Sequence, residues 1–310
     1  MQSNVINAVL MPLALGIIML GLGLSLTVED FKRVILYPRA VVVGLVCQML
    51  LLPLVCAGVA HAFGLPPELA VGLMLLSASP GGATANLFSH LARGDVALNI
   101  TLTAVNSALT LFTLPLIINL SMTHFMGEGR AVPMQFGKVL QVFIIVLGPV
   151  SLGMLIRSRK AAVAQMLDKP IRIMSAVFLV GLIVAAVYQE RGNALGYFRQ
   201  VGPAALAFNV ASMLVGYCVP LLLRLPRRQA VAIGMEIGIH NGMLAIAIAL
   251  SPTLLANPTM AIPPAIYSLI MYFTAAAFGF LVSRGHSSEP VPASSLSPSP
   301  STSTHPEKVS

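Results

Sequence analysis

The sequence predicts an all-α integral membrane protein, and three observations carry that prediction. Hydrophobic residues make up 57% of the 310-residue chain and charged residues only 9%, with a mean hydropathy of +0.89. A soluble domain carries roughly 25% charged residues, so most of this chain must face lipid or other lipid-embedded protein. Apolar stretches recur at about 20 residues, the length that crosses a hydrocarbon core of about 30 Å. Short connections bearing Pro, Gly or charge separate them.

About nine transmembrane helices follow in order. The first, at 5–27, is long enough to span, and Met1 to Ile6 lack the basic stretch of a cleavable signal peptide. The second, at 38–63, holds Gln48 mid-span, and the third, at 67–91, is interrupted by Pro80-Gly81-Gly82. The fourth, at 95–121, carries Asn99, Thr103 and Asn106. Spans at 134–157 and 170–189 flank the longest basic connection, 158–169. Spans at 201–224, 228–250 and 260–283 complete the membrane domain, 1–283; the eighth holds Glu236 and His240. The Ser/Pro-rich tail at 284–310 has too little apolar content to bury a core and is expected to be disordered. Cys47, Cys56 and Cys218 all fall in spans and make neither a disulfide framework nor a metal spacing.

The formal charge of +8 is explained by placement rather than by nucleic acid. With nine spans, fourteen of the 18 Lys and Arg residues fall on one side, among them Lys32, Arg33, Arg93, Arg157, Lys160, Arg227 and Arg228. Arg130, Lys138, Arg191 and Arg199 fall on the other. The positive-inside rule then puts the N-terminus outside and the C-terminus in the cytoplasm of a bacterial inner (plasma) membrane. A repeat at an offset of 160 (Ala70-Val71 against Ala230-Val231, Gly82 against Gly242) relates helices five spans apart, which must cross in opposite directions. That is the arithmetic of inverted repeats in secondary transporters.

Two segments are wrong for ordinary spanning helices. In Ser77 to Asn86, Pro80 removes a backbone donor and two glycines follow. Broken backbone at membrane depth is tolerated only inside protein or beside a wet cavity, and amides freed at a half-helix N-terminus suit an anion. In Glu236 to Gly242, Glu236 is the only one of the ten acidic residues that lies deep within a span. A charge there costs about 2.5 kcal/mol or more, so it should face the interior with a partner. An intact helix would place His240 on the same face. Asn99, Thr103 and Asn106 share one stripe. Together with Gln48, a carboxylate and freed carbonyls, they form an oxygen-rich set suited to a hard cation such as sodium. These residues point to a transporter, cation-coupled, for a small anion. An intramembrane enzyme or zinc site is disfavoured, because only His240 of the histidines is deep in a span. A sensor would need a soluble signalling domain, and the tail is too short and polar for one.

The run Leu15 to Leu24, the Ser79-Pro80-Gly81-Gly82 segment with Asn86, the run Leu91 to Leu98, and Glu236 to Asn241 together resemble the bile acid:sodium symporter family over residues 8–283. The resemblance implies two broken, crossing helices and a panel domain (5–27, 134–157, 170–189) against a core of the other six spans. Many bacterial members have ten spans, and this chain matches from the second. It also implies a first sodium site at Asn86, Asn99, Thr103 and Glu236. A second would use Gln48, Glu236 and His240, with backbone oxygens around Ile237 and Ile239. Substrate contact would fall at Gly82, Ala83, Thr84 and Asn241. Three positions depart from the family pattern: Ala85 and Asn99 where serines are usual, and His240 where sodium-coupled members have Gln. Imidazole offers nitrogen to a hard ion, so a proton on a Glu236–His240 pair is the alternative coupling. The expectation is a sodium-coupled symporter of a bile-acid-like or small carboxylate anion, with no organic cofactor, working by alternating access. A proton-coupled or uncoupled carrier of the same fold is the alternative.

Overall fold

The computed structural model describes residues 13, 16–127, 136–189, 194–251 and 254–284. The expected tail beyond Arg284, residues 5–12 of the first expected span, Leu15, Arg130 and Arg191 lie outside the described residues.

Helices account for nearly all of what is described. In chain order they are α1 (Gly16–Ser25), α2 (Val28–Lys32), α3 (Pro38–Ala62), α4 (Pro67–Ser77), α5 (Ala83–Leu91) and α6 (Val96–Met126). They continue as α7 (Phe136–Arg159), α8 (Ala161–Gln189), α9 (Ala194–Leu222), α10 (Arg227–Gly238), α11 (Gly242–Leu250) and α12 (Ile262–Arg284). Among the described residues the only β pairing is an antiparallel bridge between Gly81 and His240. Four helices, α3, α6, α9 and α12, are long and apolar enough to cross a membrane; at 1.5 Å per residue, a 25-residue helix such as α3 is about 37 Å long. Their outer faces carry bare Leu54, Leu116, Leu222 and Phe273, each more than half exposed. An apolar surface of that extent needs lipid. The chain is a multi-pass membrane protein.

Local chemistry sets the helix ends. Asp95 caps α6 by accepting from the Leu98 amide at 3.1 Å. Helices α3 and α9 end alike: Leu65 N–H bonds Ala60 O and Gly64 N–H bonds His61 O, while Leu225 N–H bonds Pro220 O and Arg224 N–H bonds Leu221 O. Gly64 and Arg224 both take the left-handed conformation, with φ of 58° in each, as this type of helix stop requires. Pro66 and Pro226 then cap α4 and α10 in nearly identical extended geometry.

Most buried apolar residues form one cluster built on α3, α4, α6 and α9 to α12, joined by Ile18, Met19 and Leu22 of α1. A small second cluster joins Leu24 of α1 to Ala164 and Ile171 of α8, with Ile156 of α7 packed on it. Helices α1 and α7 approach closely at Gly23 and Gly153, where an added Cβ would strike the partner's backbone. The basic connection expected at 158–169 is mostly helical, because α8 starts at Ala161. Ala161, Ala162 and Ala164 favour helix, and fully buried Ala164 anchors that first turn. Helix α9 likewise begins at Ala194, ahead of the expected 201.

Candidate functional site

The site forms where two broken segments meet. Helix α4 stops at Ser77 and α5 starts at Ala83, so Ala78 to Gly82 are non-helical. Helix α10 stops at Gly238 and α11 starts at Gly242. The two gaps lie side by side: Asn241 N–H donates to Pro80 O at 2.8 Å, beside the Gly81–His240 bridge. Pro80 has no amide, so its neighbourhood cannot complete a helix, and its carbonyl instead serves the opposite break. Gly81 is needed for contact: a Cβ there would sit 2.5 Å from Glu236 Cδ.

Glu236, fully buried in the last turn of α10, accepts from Thr103 Oγ1 at 2.6 Å and from Asn106 Nδ2 at 3.2 Å. One helical turn earlier, Ala232 O accepts from Asn99 Nδ2 at 2.7 Å. The Asn99–Thr103–Asn106 stripe of α6 therefore runs alongside α10 with its polar face on the carboxylate. That stripe was legible from spacing.

Gln48 reaches the other break. Pro53 cannot donate to the carbonyl four residues back, and the helix widens over Cys47 to Leu51 into a π turn, with Leu52 N–H bonded to Cys47 O. Gln48 sits in that turn, and its Nε2 donates to Ser77 O at 3.2 Å and Ser79 O at 3.0 Å. His240 Nδ1 lies 3.1 Å from the same Ser79 carbonyl. A carbonyl only accepts, so Nδ1 carries the proton. His240 stacks on Phe208 at 5.8 Å, with Tyr267 at 5.5 Å. Because α10 ends at Gly238, His240 leaves the face Glu236 occupies, and the two side chains meet different partners.

The remaining expected residues fall as follows. Ile237 and Ile239 are buried at the end of α10, where the last helical carbonyls lose their intrahelical donors. Gly82 precedes α5 with open space where a Cβ would stand, while Ala83 and half-buried Thr84 begin its first turn. Asn86 lies one turn on. Asn241 caps α11, accepting from Leu244 N at 3.1 Å.

The oxygens left over are the informative atoms. Gln48 Oε1, Asn86 Oδ1, Asn99 Oδ1 and Asn106 Oδ1 are buried with no hydrogen-bond partner, as is His240 Nε2. Orphaned buried acceptors are rare and costly. Amide oxygens are the donor type a hard cation takes; Asn99 and Asn106 carry theirs on the stripe that faces α10, and Gln48 carries its own at the Ser77–Ser79 break.

Sequence reasoning missed the support beneath the second break. Asn209 Nδ2 donates to Gly238 O at 2.9 Å and Tyr267 Oη donates to it at 3.0 Å, while Thr274 hydrogen-bonds Asn209 Oδ1. Asn209 was visible as a lone amide within an apolar span. An open cavity of about 90 Å³ lies beside the first break, lined by Met19, Leu22, Val150 and Met154 on one wall. Pro80, Ala104, Ser107, Leu111, Leu244 and Ile248 line the other.

A family model described as the Sodium Bile acid symporter family matches residues 12–196. The chain belongs to the Sodium Bile acid symporter family. As a family member it is a membrane transporter and not an enzyme. Among its relatives is the "Uncharacterized sodium-dependent transporter YocS" of Bacillus subtilis (strain 168), 31% identical over 258 residues, or 82% of this chain and 77% of that protein. The "P3 protein" of Homo sapiens is 29% identical over 73% of this chain and 47% of its own length. The "Probable sodium/metabolite cotransporter BASS1, chloroplastic" of Oryza sativa subsp. japonica is 28% identical over 81% and 60%. This symporter-family chain thus spans most of the first relative and about half or somewhat more of the other two.

Proposed function

We propose that the chain is a sodium-coupled symporter of an organic anion working by alternating access. The observation that carries this is the buried Glu236 carboxylate among amide oxygens that have no protein donor. An ion bound at Asn86, Asn99, Thr103 and Glu236 neutralises a charge that is expensive in the membrane interior. A second ion bound at Gln48 Oε1, with Glu236, His240 and the carbonyls of Ile237 and Ile239, ties the two breaks together. The names of the Bacillus and rice relatives, which refer to sodium dependence, support this choice.

The anion enters the cavity and meets the N-termini of α5 and α11 at Gly82, Ala83, Thr84 and Asn241. Helix α5 has no side-chain cap; Ala85 N–H bonds Gly82 O, and the amides ahead of it at the helix N-terminus suit a negative group. The lining is apolar with hydroxyls at Ser107, Thr110 and Ser151, which suits an anion with an apolar body.

The architecture we infer has nine spans, with α4–α5 and α10–α11 as two broken, crossing ones. Inverted repeats are supported by the matched ends of α3 and α9 and the matched caps Pro66 and Pro226, all at the 160-residue offset seen in the sequence. A panel of α1, α7 and α8 is supported by the small cluster that joins Leu24, Ile156, Ala164 and Ile171 and by the cavity that α1 and α7 share with α6 and α11, while Ile18, Met19 and Leu22 of α1 pack onto the main cluster. Sliding of the core of 1–283 past that panel exposes the site alternately. The inner-membrane placement, with the N-terminus outside and the tail 284–310 in the cytoplasm, rests on the charge bias.

A proton-coupled carrier is the second reading, favoured by the unpartnered Nε2 of His240. Uptake of a panel of labelled organic anions into vesicles separates the two. The symport reading expects uptake driven by an inward sodium gradient and lost when choline replaces sodium. Unchanged uptake in choline, with dependence on a pH gradient, establishes the second reading instead.

A further inference from the structure

We propose that His61 and His124 form a two-imidazole clip for a divalent transition-metal ion, of the Cu²⁺, Ni²⁺ or Zn²⁺ type. His61 lies in the last turn of α3 and His124 in the last turn of α6, 63 positions apart in sequence. Their Nε2 atoms approach to 2.7 Å with the rings nearly perpendicular, at 88°, and both side chains are exposed. Phe125 packs against both rings, at 4.9 Å from His61 and 4.8 Å from His124, and narrows their freedom.

Without metal, one ring must donate its Nε2–H to the lone pair of the other. With metal, both lone pairs turn toward one point at the side, a rotation open to exposed rings at helix ends. Metal–nitrogen bonds of about 2.0 Å meeting at a right angle hold the nitrogens about 2.8 Å apart, close to the separation present. A tetrahedral ion needs about 3.3 Å, so the ends of α3 and α6 must part slightly. Square-planar Cu²⁺ or Ni²⁺ is therefore the better match, and solvent completes the shell. Among the described residues no group of three or more His, Cys, Asp or Glu side chains could hold a metal, so the clip supplies two ligands only. Sodium does not compete, because a hard ion prefers oxygen.

The test is Cu²⁺ and Ni²⁺ titration of the purified full-length chain by calorimetry, with electron paramagnetic resonance of the copper form. The clip predicts one site whose spectrum shows two imidazole nitrogens. His61→Ala and His124→Ala should each weaken binding by about tenfold or more, while eluting as folded protein and retaining metal-free transport. His90→Ala should leave binding unchanged. Absence of binding in the wild type, or binding that survives both substitutions, overturns the clip.

Discussion

Replacing Glu236 with Gln removes one negative charge and almost nothing else. The side chain is fully buried, and the amide oxygen still accepts from Thr103, now 2.6 Å from the carboxylate. The new amide nitrogen faces Asn106, whose Oδ1 has no partner in the wild type and can accept from it. Folding should therefore survive, and a sodium-free sample should melt within a few degrees of wild type. The charge term is different. At an effective dielectric of about 20, a carboxylate and a cation about 4 Å apart attract by about 4 kcal/mol. Each 1.4 kcal/mol is tenfold, so sodium affinity should fall about a thousandfold. The assay is the rise in melting temperature with sodium concentration, which follows ligand occupancy of the folded state, paired with uptake into proteoliposomes. Glu236→Gln should show no sodium-dependent rise and no coupled uptake. A variant that keeps wild-type uptake, with half-saturation by sodium within threefold of normal, refutes the assignment of the carboxylate as the ion's counter-charge.

Other substitutions probe the supports. Gly81→Ala forces a methyl against the Glu236 carboxylate; it should cost about 1–3 kcal/mol in stability and abolish transport. Gly58→Ala, which meets nothing within 4 Å, should melt slightly higher and transport normally. Pro53→Ala restores the missing amide and lets α3 close its π turn, so the melting temperature should rise while sodium binding weakens as Gln48 turns from Ser79; stronger sodium binding would contradict that role. Asn209→Leu and Tyr267→Phe each leave Gly238 O one donor and should cost about 1–2 kcal/mol. The double variant should cost more than their sum in a thermodynamic cycle. His240→Gln exchanges the unpartnered nitrogen for an oxygen and should strengthen sodium binding several-fold; a loss of pH-dependent uptake with no change in sodium response supports the proton reading.

Much of the site could be read from sequence because membrane insertion penalises the relevant features one by one. Pro80 removes a helix donor and the glycines beside it and around His240 are weak helix formers, and the breaks appear at or between them. Glu236 stood out as a charge at depth, and the spacing of Asn99, Thr103 and Asn106 placed them on one face, which the structure turns toward Glu236 and Ala232. What sequence could not give depends on contacts between distant positions. The shared Glu236–His240 helix face expected of an intact helix is interrupted because α10 ends at Gly238, so the His240 ring joins Gln48 at the Ser79 carbonyl while its backbone pairs with Gly81 beside Glu236. The support of Gly238 by Asn209 and Tyr267 joins three helices with no shared local pattern. The π turn at Gln48 follows from a proline five residues on, a signal present in the sequence but silent without a backbone. The helical start of α8 was hidden by its charges, which mark a membrane boundary without ending a helix.

Direct binding of radiolabelled sodium to the purified protein, in the absence of any organic anion, addresses the central claim without knowledge of the transported molecule. The proposed symport predicts saturable binding that unlabelled sodium displaces, that potassium and choline do not, and that Glu236→Gln eliminates. Absence of saturable binding in the folded wild-type protein, or equal binding in that variant, contradicts it.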